Sequence, residues 1–357
     1  MPRPPNPVPN DRETLRILQV TPEQAERAQQ QQRVNGGEGK AWRDLLILNR
    51  DGTPKPLLAN AITALRHAPE WNGVLAFDHF GLAVQAVKPT PWSHTGRWSE
   101  QGDRLGCEWL QQRGIYISTR IAGEAVETVA RERSVHPVRD YLSSLTWDQV
   151  PRIDVWLERY LGVRPDAANA GYVAAVGARW LISAVARIYK PGCKADHLLI
   201  LEGDQGTLKS SAIAALVSPE WFADELGEMG SKDTALQLCG KWVIELPELD
   251  SLTRSEVSRA KAFLSRQADH FRPPYARRPD DFPRQCVFVG TCNRETYLQD
   301  ETGGRRFWPV VYCQIDLDAL RCDRDQLWAE ALEQFRAGAI WWLDTPEEPR
   351  RRRGAVR

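Results

Sequence analysis

Net charge is what this sequence lacks first: 47 lysines and arginines meet 47 aspartates and glutamates. A globally basic surface that would draw the whole molecule onto nucleic acid is thereby excluded, although a local basic patch is not. Metal-type cysteine spacing is missing too. The seven cysteines, at 107, 193, 239, 286, 292, 313 and 322, form no C-x-x-C pair and no Cys/His cluster. That argues against a structural zinc site and for thiols in a reducing compartment. No stretch reads as the roughly 20 apolar residues that span a bilayer. The start, Met1-Pro2-Arg3-Pro4-Pro5, has no apolar core of the signal-peptide kind. The expectation is a cytosolic protein without a membrane partner.

What is present fits a globular protein. The chain has 357 residues, which sets two domains as the starting expectation. Fourteen tryptophans exceed what one core needs. Residues 1–36, rich in Pro, Gln, Glu and Arg, read as a tail with one short helical piece. Residues 37–133 read as a small α+β domain. Leu45-Leu46-Ile47-Leu48 is a strand end closed by Asn49-Arg50-Asp51-Gly52, and Asn60 caps a short helix. A hairpin falls within 73–87, with helices near 103–111 and 121–133. A winged-helix arrangement suits that order.

Residues 134–195 read as a helical segment, with helices over Ile153–Leu161 and Tyr172–Ile188. From 196 to 345 the pattern changes. His197-Leu198-Leu199-Ile200-Leu201, Trp242-Val243-Ile244 and Val287-Phe288-Val289 are continuous apolar runs, as in strands buried on both faces. Strands separated by helical stretches imply a parallel sheet with crossovers, an α/β core. Residues 346–357 are a basic tail.

The loop after the first run carries the chemistry. A triphosphate needs free backbone N–H groups, a helix N-terminus and a cation. Gly203, Asp204, Gln205, Gly206, Thr207, Leu208, Lys209, Ser210 and Ser211 lie between a strand and a helix and supply that order. Lys209 would reach phosphate oxygens, and the Ser210 hydroxyl would bind Mg²⁺. Leu208 stands where the standard G-x-x-x-x-G-K-[ST] pattern has its second glycine. If that position is left-handed, leucine is strained there, and a variant geometry at Gly206 is the alternative.

Three further stretches follow. The apolar run Trp242-Val243-Ile244 leads to Glu245 and Glu248, either of which could hold Mg²⁺ or orient water. The third strand leads to Asn293, a water-holding amide or a turn residue. Gly303-Gly304-Arg305-Arg306 offers two fixed cations to a developing phosphoryl charge.

With these residues assembled, the chain resembles the virulence-associated E family of phage and mobile-element proteins. The resemblance covers roughly residues 134–345. It rests on His136-Pro137-Val138-Arg139-Asp140-Tyr141-Leu142, Leu145-Thr146-Trp147-Asp148 through Pro151-Arg152, and the loop from Glu202 to Ser210. Trp242 through Leu249, Thr291-Cys292-Asn293 and Gly304 through Val310 complete it. The family is similar to superfamily 3 helicases, so the resemblance implies an AAA+-like P-loop core with ATP and Mg²⁺ as cofactors. Glu245 and Glu248 become the metal-side carboxylates and Asn293 the sensor of the γ-phosphate. Arg305 or Arg306 becomes a finger acting on a neighbouring subunit, which implies a ring-like homo-oligomer such as a hexamer. Such relatives place a DNA-contacting hairpin at Lys261–Arg284. Here that stretch holds Lys261, Arg266, Arg272, Tyr275, Arg277 and Arg278, basic groups with an aromatic that suit single-stranded or fork DNA.

The implied activity is an ATP-dependent, DNA-acting motor of helicase or loader type, working in a bacterial host cell. Two other readings compete. One is a non-catalytic DNA-binding protein with a degenerate phosphate loop, which Leu208 and the neutral charge favour. The other is a small-molecule kinase on a P-loop scaffold, against which the arginine pair weighs.

Overall fold

The computed structural model describes residues 42–204, 206–249, 253–273, 278–292 and 306–343. The chain divides into two units. The first comprises residues up to Phe77 together with Ala83–Ser134; the second comprises Asp78–Leu82 and Val135 onward.

The first unit is built on α1 (Leu58–His67), β1 (Leu75–Asp78), β2 (Ala83–Ala86), β3 (Gly96–Arg97), α2 (Glu100–Gln111), α3 (Thr119–Ala130) and β4 (Ser134–Val135). Its sheet runs in the order β3-β2-β1-β4. Ser99 and Ser118 start α2 and α3 by accepting hydrogen bonds from the N–H groups of Gly102 and Ile121. Tryptophan fills the core: Trp71 packs edge-on against Trp92 and Trp109, and Trp42 stacks on Trp109. The strand expected at 45–48 is not formed. The chain makes a short 3₁₀ turn at Trp42–Leu45 and a single bridge between Leu48 and Pro54.

The second unit begins with α4 (Pro137–Ser144), α5 (Trp156–Leu161) and α6 (Ala170–Tyr189). Helix α5 starts three residues later than the apolar pattern suggests. Glu330 accepts hydrogen bonds from the N–H groups of Arg152 and Ile153, which ties that stretch down before the helix begins. Helix α6 is, by length and composition alone, apolar enough to cross a membrane, as a buried core helix also is. Most of its residues are buried, where the α/β core covers them.

Then follow β5 (Leu198–Glu202), α7 (Lys209–Val217), β6 (Phe222–Ala223), α8 (Lys232–Gln237), β7 (Val243–Leu246), α9 (Arg254–Leu264), β8 (Ala268–Phe271), β9 (Asp280–Pro283), β10 (Val287–Cys292), β11 (Phe307–Val311) and α10 (Leu317–Arg336). Five of these strands form one parallel sheet in the order β11-β5-β10-β7-β6. Alternate residues feed opposite faces. Leu199, Leu201, Val243, Val289 and Val310 meet α4–α7 and α10, while Leu198, Ile200, Ile244 and Phe288 meet α9. Buried tryptophans bolt the layers together through their ring N–H groups. Trp180 donates to Phe288 O at 2.9 Å, Trp242 to Ala184 O at 2.9 Å and Trp328 to Leu216 O at 2.7 Å. The parallel register brings the C-terminal ends of β5, β10 and β7 to one sheet edge, where open α/β sheets place their ligand sites.

Candidate nucleotide site

The phosphate-type loop leaves the end of β5 and enters α7. Gly203 is needed on steric grounds, since a Cβ there would lie 2.3 Å from the Tyr312 ring. Gly206 has φ +78°, and Leu208, which caps α7, has φ +67° and ψ +21°. The leucine therefore holds the left-handed conformation itself, and the side chain stays half exposed. Lys209 turns back over the loop: its Nζ donates to Gly203 O at 2.7 Å, Asp204 O at 3.2 Å and Cys292 O at 3.2 Å. Tyr312, at the end of β11, clamps the same turn. Its hydroxyl donates to Asp204 O at 3.1 Å and touches the Thr207 hydroxyl. Burial, with the Asp204 charge next, pushes the Tyr312 phenol up to about 12, so it stays a donor.

Glu245 lies beside this loop. It is buried on β7, an expensive place for a carboxylate without partners. Its Oε1 accepts from Ser210 Oγ at 3.0 Å and from Thr291 Oγ1 at 2.7 Å, while Oε2 has no hydrogen-bond partner. Glu248 sits two residues beyond β7, exposed and with φ +52°. One carboxylate is thus fixed against the loop serine and the other presented to solvent. Hard oxygen donors of this kind fit Mg²⁺, which needs only one or two carboxylates when phosphate supplies the rest. Ser211 lies exposed on the first turn of α7.

Not every expected residue converges here. Arg306 precedes β11 at the opposite end of the sheet, because β11 runs parallel to β5 and Leu198 N donates to Arg306 O. Its guanidinium pairs with Asp196 at 3.0 Å. Burial raises the Asp196 pKa, but the hydrogen bond and charge of Arg306, with Lys194, bring it below the ordinary value. Gln205, Asn293 and Arg305 lie outside the described residues.

A model of the virulence-associated protein E-like domain matches residues 142–354, more than half of the chain. The chain belongs to the virulence-associated protein E-like family. No functionally curated protein matches it. Among solved structures, it is similar to the A form of the apo NrS-1 C-terminal region, with TM-score 0.45 and 13% identity over 74% of this chain and 68% of that one. A second apo structure of the NrS-1 C-terminal region gives TM-score 0.42 and 13% identity over 76% and 67%.

In this virulence-associated protein E-like chain, the stretch expected to contact DNA is only partly a hairpin. Lys261 stands on α9, which a Thr253/Glu256 capping box starts. The antiparallel pair β8–β9 follows, with Arg272 and Arg278 exposed just beyond its Phe271–Asp280 pair. Tyr275 and Arg277 lie outside the described residues. Arg266 leans towards Asp269 at 3.7 Å, and the hairpin base is locked by buried Arg284, bidentate to Asp269 at 2.6 and 2.8 Å. Asp280 and Asp281 add two exposed carboxylates to the outgoing strand, offsetting charge that the basic residues alone suggested.

Thr291 and Tyr312 were not singled out from sequence. Thr291 was visible only as part of a strand end, and Tyr312 lies two residues past the Gly304–Val310 stretch. Their roles depend on the neighbours of β5.

Proposed function

We propose that this chain is an ATP-dependent motor acting on DNA in phage or mobile-element replication. The observation that carries the reading is Glu245. A buried carboxylate, one oxygen held by Ser210 and Thr291 and the other unpartnered, stands against a glycine loop that ends in Lys209. An acid in that state calls for a cation, and the loop calls for an anion.

In this reading Lys209 exchanges carbonyl partners such as Gly203 O and Cys292 O for β- and γ-phosphate oxygens, and Ser210 with Glu245 holds Mg²⁺. When bound, Mg²⁺ draws charge from those oxygens. Glu248, exposed at the strand end, takes a proton from water as the water oxygen bonds to the γ-phosphorus. The bond from that phosphorus to the bridging oxygen breaks, leaving ADP and inorganic phosphate. Arg305 or Arg306 serves a neighbouring subunit, since Arg306 lies at the far end of the sheet from its own loop. A ring-like homo-oligomer follows from that assignment. Arg272 and Arg278 supply phosphate contacts to a single strand.

The Leu208 backbone favours one rival, a DNA-binding protein whose loop no longer turns over nucleotide. ATP hydrolysis with and without single-stranded DNA, in the native chain and Lys209→Ala, separates them. DNA-stimulated turnover that the substitution abolishes supports the motor. Absence of turnover in both proteins, with DNA binding retained, supports the rival.

A further inference from the structure

Beside the phosphate-type loop lies a cavity of about 600 Å³ whose wall includes Leu208, Arg164, Gln314, Ile315, Leu317 and Arg321. Two segments of chain build it. Gly162, left-handed at the end of α5, approaches the backbone of Gln314 so closely that a Cβ would lie 2.5 Å from its carbonyl oxygen. Hydrogen bonds from Asp316 N to Tyr160 O at 2.8 Å and from Cys313 N to Leu161 O at 3.4 Å fasten the two segments. The volume falls within the range of small-molecule pockets, roughly 300–1,000 Å³.

We infer that this cavity receives the base and ribose of the nucleoside triphosphate, with the Leu208 side chain as the apolar platform under the base. The inference rests on the phosphate-loop reading above and adds to it where the rest of the ligand goes. Leu208 belongs to both places: its backbone opens α7, and its half-exposed side chain lines the cavity. A triphosphate seated at Lys209 has its nucleoside a few bonds away, and this cavity begins one residue from that lysine. The wall chemistry suits such a ligand. Leu208, Ile315 and Leu317 offer apolar surface to a flat ring, and the Gln314 carboxamide can both donate and accept at its edge. Arg164, Asp316 and the Arg321–Asp318 pair at 3.2 Å add polar groups of both signs that the ribose hydroxyls can hydrogen-bond. Leucine in the place of glycine thus trades backbone strain for a contact that glycine cannot make.

Cys313 provides the test in the unmodified chain. It lines the cavity and is exposed, while Cys322, also exposed, does not line it and serves as an internal control. Maleimide labelling of each thiol is followed by peptide mass spectrometry with ATP, with inorganic tripolyphosphate, and with neither. Competition of tripolyphosphate against a fluorescent ATP analogue is measured in parallel. With ATP at ten times its Kd, labelling of Cys313 slows about tenfold while Cys322 is unchanged. Tripolyphosphate leaves both rates alone. If tripolyphosphate competes for the loop but ATP does not protect Cys313, the cavity assignment is overturned and the phosphate loop stands. If neither ligand binds, the phosphate-loop reading fails and the cavity assignment with it. A second measurement uses Leu208→Asn, which keeps a side chain tolerant of the left-handed backbone but removes the apolar surface. The ratio of ATP to tripolyphosphate affinity falls about tenfold in that variant. An unchanged ratio counts against Leu208 as the platform.

Discussion

Leu208 at φ +67° yields a stability prediction that needs no assumption about function. An L-residue in the left-handed region carries about 1–2 kcal/mol of Cβ–carbonyl repulsion, which glycine escapes. Replacing leucine by glycine alone confounds that relief with the loss of a half-buried side chain. Leu208→Ala and Leu208→Gly both lose the side chain, and only the second removes the Cβ. Glycine in turn costs about 0.5–1 kcal/mol in extra freedom of the unfolded chain. The difference favours Leu208→Gly over Leu208→Ala by about 1 kcal/mol, the reverse of their order in an ordinary helix. For a unit of this size that corresponds to a midpoint about 2–4 °C higher for the glycine variant. Thermal unfolding followed by circular dichroism, with urea titration for ΔG, reads it directly. Alanine equal to or more stable than glycine would refute the left-handed loop, and with it the explanation of this departure from the common phosphate-loop pattern.

Other expectations follow from the same geometry. Thr291→Val removes a hydroxyl that holds Glu245 at 2.7 Å. ATP turnover falls about 10–100-fold and recovers in part at higher Mg²⁺, whereas a Mg²⁺-independent loss would mean that Thr291 acts elsewhere. His197 is buried against Trp308, and burial pulls its imidazole down to about 3. An unfolded histidine, at about 6.5, takes up the proton first as pH falls, so this contribution is complete above that value and shrinks below it. Stability drops by up to about 1.4 kcal/mol per pH unit between about pH 6.5 and 3, and His197→Phe flattens that slope; an equal slope in both proteins would reject the assignment. Arg272→Ala and Arg278→Ala each reduce the slope of log K against log salt for single-stranded DNA by about 0.7, and unchanged slopes would remove the hairpin from the interface.

Sequence alone determined the elements that local pattern encodes. The cores of β5, β7 and β10 were legible because strands covered on both faces must be apolar throughout. The loop from Gly203 to Lys209 was legible as a strand-to-helix connection because glycines between an apolar run and a helical pattern mark such a turn, and the family could be read from several motifs taken together. Strand β11 was not legible: Pro309 and the preceding glycines and arginines suggest a loop. The proline is tolerated because β11 pairs on one side only, at the sheet edge. The partners of Glu245 were equally hidden. Ser210 and Thr291 come from segments far apart in sequence, and they meet only because β10 inserts between β5 and β7. The left-handed state of Leu208 and the cavity beside it also required the tertiary structure. Periodicity reports which face of an element is buried; which side chains meet at the ends of parallel strands depends on strand order, and local pattern does not encode that order.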